Sequence, residues 1–259
     1  MIVLKRKKIL THIIVFLLLV ASCIGMSASG YSTVFYGVAP RKLPVYAVAT
    51  DEKKIALSFD ASWGADKTKQ IVDMLVANNM KATFFLVGFW INKYPDLVKY
   101  IYANGMEIGN HSHNHLKMSM LNADDIAKEL NYVQDGVYKL TGKKPVYFRP
   151  PYGDYNDRLI TETLKLGLFP VQWSIDSLDW KGLSGGEIAS RVTPKLKPGS
   201  IILCHNNSDH ILEALPLIMQ AIKVGGYRAV NMSELVYTKN YTIDTNGLQH
   251  YQIYEKSEE

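Results

Sequence analysis

From Lys54 onward, short apolar runs alternate with helical patterns, and this alternation constrains the fold more than any other feature of the chain. The strand candidates, in order, are "IALSFD", "ATFFLVG", "EIGNH", "VYFRPP", "FPVQWSI", "SIILCH" and "YRAVNM". Helix signals lie between them. "YPDLVKYIYANG" has Pro95 at a first turn and Gly105 as a stop, "NADDIAKELNYVQDGVYKLTG" stops at Gly142, and "NDRLITETLKLG" stops at Gly167. "DKTKQIVDMLVANN" ends in an Asn pair, "SDHILEALPLIMQAIKVGG" ends in a Gly pair, and "SGGEIASRV" offers Ser184 and Glu187 as a capping box. Strands separated by helices argue for parallel βαβ units, because parallel neighbours need a long crossover. Such units close either into a barrel or into an open doubly wound sheet. Chemically capable residues sit at the C-terminal ends of at least five strands: Asp60, His111, Arg149, Asp176 and His205. Convergence from many strand ends belongs to a barrel, whereas an open sheet gathers its site at one switch point.

The strand candidates also carry face information. In "IALSFDASWGADKT", Ile55, Leu57 and Phe59 alternate with Ala56, Ser58 and Asp60, so one face is apolar and the other ends in a carboxylate. In "SIILCH", Ile201, Leu203 and His205 face one way, Ile202 and Cys204 the other. "HSHNH" places His111 and His115 four apart, a spacing that puts both imidazoles on one face of a helical turn. That arrangement suits zinc or a similar divalent metal, or a hydrogen-bonded histidine cluster. "YFRPPYG" follows a strand with a rigid turn able to aim backbone N–H groups at a developing oxyanion. "WSIDSLDW" brings Asp176, Asp179 and Trp180, one carboxylate to orient a histidine and an aromatic face for a sugar ring.

Composition limits the class of partner. The net charge is +5, of which Lys5, Arg6, Lys7 and Lys8 supply four, so the body of the chain has no electrostatic footprint for nucleic acid. These basic residues precede "ILTHIIVFLLLVASCIGM", 18 residues long, whose densest part (Ile13 to Ala21) matches an export-signal core. The full run is just long enough to span a bilayer, and the basic flank predicts an outward-facing body. Retention as a membrane anchor, cleavage after small residues and lipidation at Cys23 all fit. The only other cysteine, Cys204, leaves the body without a disulfide framework. We expect residues 1–29 to form the signal or anchor and 30–50 a linker. Residues 51–237 would be the main folded domain, and 238–259 a polar tail that frays. The body is expected to be monomeric and extracytoplasmic, either anchored or secreted.

"SFDA", "HSHNH", "RPPYG", "DSLDW" and "LCH" occur in the order and spacing of the polysaccharide deacetylase family, carbohydrate esterase family 4 or NodB homology domain. The resemblance covers about residues 50 to 237, and the "FDASWG" variant with its export signal is most similar to the sporulation-associated branch. It implies an α/β fold, a distorted (β/α)7 barrel, and metal-dependent hydrolysis of N-acetyl groups on peptidoglycan or a chitin-like glycan. By the same resemblance Asp60 is the general base, Arg149 holds it, and His111 and His115 ligate a divalent metal, zinc by preference. Tyr152, Trp180 and Leu203 line the substrate pocket, with the Tyr152 N–H in the oxyanion site, and Asp179 orients His205, the general acid. One position departs from the family. The second aspartate that would complete the metal site is here Ala61. Asp66, Asp60 or water are the candidates to replace it, and a glycan-binding protein with weakened or lost hydrolysis is the competing expectation.

Overall fold

The computed structural model describes residues 11–18 and 41–252. The chain divides into two compact units, Met1–Pro40 and Arg41–Glu259. In the first, residues 11–18 are helical (α1). Among the described residues no helix is long and apolar enough to cross a membrane. The rest of the apolar run, Cys23 and the first part of the expected linker lie outside the described residues.

The second unit begins with β1 (Ala47–Val48) and then lays down one parallel sheet. Its strands are β2 (Lys54–Ala61), β3 (Thr83–Leu86), β4 (Glu107–Asn110), β5 (Tyr147–Phe148), β6 (Phe169–Pro170), β7 (Ile175–Asp176), β8 (Ile201–His205) and β9 (Arg228–Val230). They pair in the order β6-β5-β4-β3-β2-β8-β7, with β9 on the first residues of β2. The stretch expected as one strand, "FPVQWSI", is two. Its first end pairs with β5 and its last with β8, so the chain itself bridges the two edges of the sheet. This is the distorted (β/α)7 barrel: eight strand segments, of which β6 and β7 are the two ends of one expected strand, with the seam spanned by backbone.

The expected helices form as α2 (Thr68–Ala77), α4 (Pro95–Ala103), α5 (Ala123–Thr141), α6 (Asp157–Lys165), α7 (Gly185–Val192) and α8 (Ile211–Val224). Ser184 and Glu187 make the capping box reciprocally, satisfying two otherwise orphaned donors at the start of α7. A further short helix, α3 (Gly88–Lys93), begins at the last residue of the run expected as strand.

Strand alternation sorts the core into two layers. Ile55, Leu57, Phe59, Ala61, Ile202 and Cys204 pack outward against helical residues such as Ile71, Leu75 and Ile218. Ala56, Phe85, Tyr147, Ile201 and Val230 fill the barrel interior. Asp60 thus caps the inward row, and Ala61 lies on the opposite face.

The expected fraying after residue 240 does not occur in the described part. β10 (Tyr241–Ile243) and β11 (Leu248–Tyr251) form an antiparallel hairpin, and β11 pairs with β1 as a separate sheet. Gln249, fully buried, ties the hairpin down by exchanging hydrogen bonds with the Tyr237 backbone. β1 in turn meets Gly199, whose carbonyl accepts from Val48 N at 3.0 Å. Gly199 has φ +78°, and a Cβ there would lie 1.7 Å from the Val48 carbonyl oxygen. Gly199→Ala is therefore expected to cost at least about 2 kcal/mol, part backbone strain and part clash. Urea unfolding midpoints check this, and an unchanged midpoint would show that β1 shifts freely.

Candidate active site

Asp60, His111, His115, Tyr152, Asp179, Trp180, Leu203 and His205 line one cavity of about 700 Å³ at the C-terminal ends of the strands. Arg149 stands behind Asp60, fully buried. All nine residues to which the family resemblance gives a role are therefore brought together, and Asp176 borders the same cavity.

Two side-chain pairs face this cavity. Arg149 Nη1 donates to Asp60 Oδ1 at 2.8 Å, and Nη2 donates to the Gln172 carbonyl at 3.1 Å. The guanidinium also lies 4.2 Å over the Phe85 ring. Burial is the largest influence on Asp60 and opposes its charge, but the Arg149 guanidinium and its hydrogen bond, together with the neighbouring histidines, overcome it and hold the carboxyl below the usual carboxylate range. The second pair is Asp179 and His205. Asp179 Oδ1 lies 2.7 Å from His205 Nδ1, and its Oδ2 accepts the His205 backbone N–H at 2.7 Å. One carboxylate fixes both ring and backbone. With Nδ1–H committed to Asp179, Nε2 is the nitrogen left to exchange protons. Burial lowers the proton affinity of His205, yet the Asp179 hydrogen bond and charge prevail and raise its pKa above the ordinary value. Asp60 and His205 are register partners on adjacent parallel strands.

The local chain explains these placements. Leu178, with φ 52°, turns the backbone after β7, and the Asp176 carboxylate accepts from its N–H at 2.9 Å. Asp176 thus serves the turn that delivers Asp179. Tyr152, with φ 61°, holds a left-handed conformation unusual for a non-glycine residue in the turn after β5. His115 is likewise left-handed (φ 54°). His111 and His115 consequently meet across a turn rather than along a helix, with ring centroids 5.0 Å apart.

The histidines have the chemistry of metal donors. Burial keeps His111 neutral by lowering its pKa, and burial above all lowers that of His115 to about 4. His111 Nδ1 pairs with the Arg149 carbonyl at 2.7 Å, leaving Nε2 turned toward Asp60 Oδ2 at 3.5 Å, too long for a hydrogen bond. His115 Nδ1 is shielded from solvent without a partner. The anionic third donor is another matter. Ala61 is fully buried in the outer apolar layer and does not border the cavity. Asp66 is exposed and does not border it either. Among the described residues no group of three His, Cys, Asp or Glu side chains forms a metal cage. The donor set therefore does not fit the three-ligand centre that catalytic zinc requires.

Sequence reasoning missed Ser62, Trp63, Trp173 and the loop 206–209, all of which border the cavity. The signal was present: Ser62 and Trp63 directly follow a strand ending in Asp60, and loops after barrel strands build the site.

Comparison with known proteins agrees with this geometry. Residues 47–171 match the family model described as polysaccharide deacetylase. A peptidoglycan-N-acetylglucosamine deacetylase of Bacillus cereus is 36% identical over 208 residues, spanning 78% of this chain and 96% of the relative. The peptidoglycan-N-acetylmuramic acid deacetylase PdaA of Bacillus subtilis is 34% identical over 198 residues, with 75% of each chain covered. Among solved structures, BA3943 of Bacillus anthracis, a carbohydrate esterase family 4 pseudoenzyme, superimposes with a TM-score of 0.72 at 29% identity. That match covers 83% of this chain and 74% of the other. Strand order, the two side-chain pairs and these likenesses lead to one conclusion: the chain belongs to the polysaccharide deacetylase family.

Proposed function

We propose that the protein removes N-acetyl groups from the amino sugars of cell-wall glycan, with peptidoglycan as the substrate. The observation that carries this reading is the presence of two intact pairs, Arg149–Asp60 and Asp179–His205, facing one cavity. A protein that only binds sugar has no use for an ionised base beside a histidine tuned to hold a proton. In this reading Asp60 accepts a proton from the water that attacks the acetyl carbonyl carbon. The Tyr152 N–H, aimed by its left-handed turn, stabilises the oxyanion. His205 Nε2 protonates the nitrogen as the C–N bond breaks, releasing acetate and a free amine. Trp180 and Leu203 wall the pocket. Relatives at this level of identity that are named as peptidoglycan deacetylases support the substrate class.

The setting we infer is outside a bacterial cell, with residues 1–29 as anchor or cleaved signal and sporulation as the occasion suggested by "FDASWG". The family's divalent metal would find nitrogen donors in His111 and His115, but no step here runs through it, because the third donor is missing. That same vacancy at Ala61 favours a second reading, a glycan-binding protein with weakened hydrolysis. A structural neighbour, a BA3943 mutant, is described as a family pseudoenzyme with restored enzymatic activity, so pseudoenzymes do occur on this fold. Acetate release from N-acetylated peptidoglycan, measured beside the metal content of the purified body, separates the two.

Asp179→Asn tests the acid. The substitution removes the charge that raises the His205 pKa, so the basic limb of the pH–rate profile is expected to move to lower pH. Turnover at neutral pH should fall at least about tenfold with metal content unchanged. A profile displaced as a whole in amplitude, without movement of that limb, would remove Asp179 from this role.

A further inference from the structure

We propose that Trp63, Asn207 and Ser208 form an accessory sugar subsite, which takes the residue of a glycan chain next to the one in the reacting centre. The proposal rests on the reading above only in that a glycan enters the cavity.

Trp63 is 64% exposed and borders the cavity. Single exposed aromatics are ordinary on protein surfaces, but this one is held in place. Its ring meets His115 edge-on, with centroids 4.9 Å apart, and leans on Phe89 at 6.1 Å. The next residue, Gly64, is pinned from two directions: its carbonyl accepts from Trp90 Nε1 at 2.8 Å and from Asn206 Nδ2 at 3.1 Å. Gly64 has φ +70°, and a Cβ there would lie 2.1 Å from Asn207 Nδ2, so the absence of a side chain admits the neighbouring loop. Asn206 Nδ2 also donates to Thr68 Oγ1 at 2.8 Å, binding the two loops into one wall. An exposed indole on a rigid mount has little ordering entropy left to lose when a ligand covers it.

The polar half of the subsite is beside it. Asn207 Oδ1 and Ser208 Oγ both belong to cavity-lining residues, and neither has a hydrogen-bond partner in the protein. Unpaired groups shielded from water gain more from a ligand hydroxyl than groups already hydrated. An aromatic plane flanked by amide and hydroxyl groups is complementary to a pyranose ring, which has one C–H face and a rim of hydroxyls. Trp63 stands at the His115 end of the cavity, whereas Trp180, 59% exposed, follows Asp179 at the His205 end. Two platforms around one reacting centre select a chain over a single sugar.

Calorimetric titration with N-acetylglucosamine and with its β-1,4-linked tetramer tests this in wild type, Trp63→Ala and Trp63→Phe. Wild type should bind the tetramer at least about tenfold more tightly than the monosaccharide. Trp63→Ala should lose most of that gain from length, and Trp63→Phe, which keeps an aromatic face, should recover part of it. Tetramer binding by wild type that is unaltered in Trp63→Ala overturns the subsite and leaves the glycan reading intact. Wild type that binds neither sugar overturns both.

Discussion

Arg149→Met is expected to unfold the protein at a temperature lower by roughly 10 °C and to reduce acetate release at least about a hundredfold. Arg149 is fully buried and is the donor to Asp60 Oδ1, so its removal leaves a carboxylate enclosed without its counter-charge. Breaking a buried pair from one side costs about 3–5 kcal/mol, because the stranded charge keeps its full desolvation penalty. At about 2–4 °C per kcal/mol for a domain of this size, that becomes the stated shift in melting temperature. The pH dependence should invert as well. In wild type the Asp60 pKa is depressed, so its contribution to stability is present above the unfolded-state value and is lost as pH falls through the folded value. Without Arg149, burial raises that pKa, the folded state holds a proton the unfolded state releases, and stability falls as pH rises toward neutrality. Thermal melts from acidic to neutral pH would show opposite slopes for the two proteins. Parallel slopes would mean that Asp60 is ionised by something other than Arg149.

Ala61→Asp is expected to do two opposed things. In the metal-free protein it places a carboxylate in the apolar layer between strands and helices, where Ala61 is fully buried. An unpaired polar group there costs about 1–3 kcal/mol, or roughly 3–8 °C in melting temperature. The strand ends at this residue, and Ser62 and Trp63 already border the cavity, so the new carboxylate has a short path to His111 and His115. Zinc should then bind at least about tenfold more tightly than to wild type and reverse the thermal loss. Melting curves with and without zinc, read beside calorimetric titration, measure both effects. Destabilisation without a gain in zinc affinity would show that the strand end itself, and not only the missing carboxylate, departs from a metal-binding geometry.

Much of the barrel was readable because its signals are local. The alternation in Ile55–Asp60 and in Ile201–His205 separates inward from outward faces, and the structure keeps both assignments. The failures have identifiable causes. "FFLVGFW" is apolar without a period, so the change from β3 to α3 at Gly88 leaves no trace in hydrophobicity alone. The hairpin of β10 and β11 depends on β1, about two hundred residues earlier, and no local pattern announces a partner so distant. At the site, Asp60, Arg149 and His205 could be placed by strand ends, but Asp179 lies three residues past β7, and Arg149 reaching Asp60 joins β5 to β2 through the barrel interior. Only the family resemblance anticipated that contact. Trp63 was overlooked because a tryptophan in a glycine-containing loop carries no period to mark it.

Asp60 and His205 stand opposite one another on neighbouring strands of a parallel ladder. Their separation is therefore a property of the peptide repeat, about 4.8 Å between strands, and not of any loop. Acid and base run on a gauge that mutation rarely alters, because changing it would mean re-registering a buried strand and turning every side chain to the wrong face. The histidine turn, the Trp63 loop and position 61 are mounted separately at the rim. A lineage can lose a ligand, acquire an aromatic platform or exchange one sugar for another while the proton-handling pair stays in gauge, ready for whichever rim comes next.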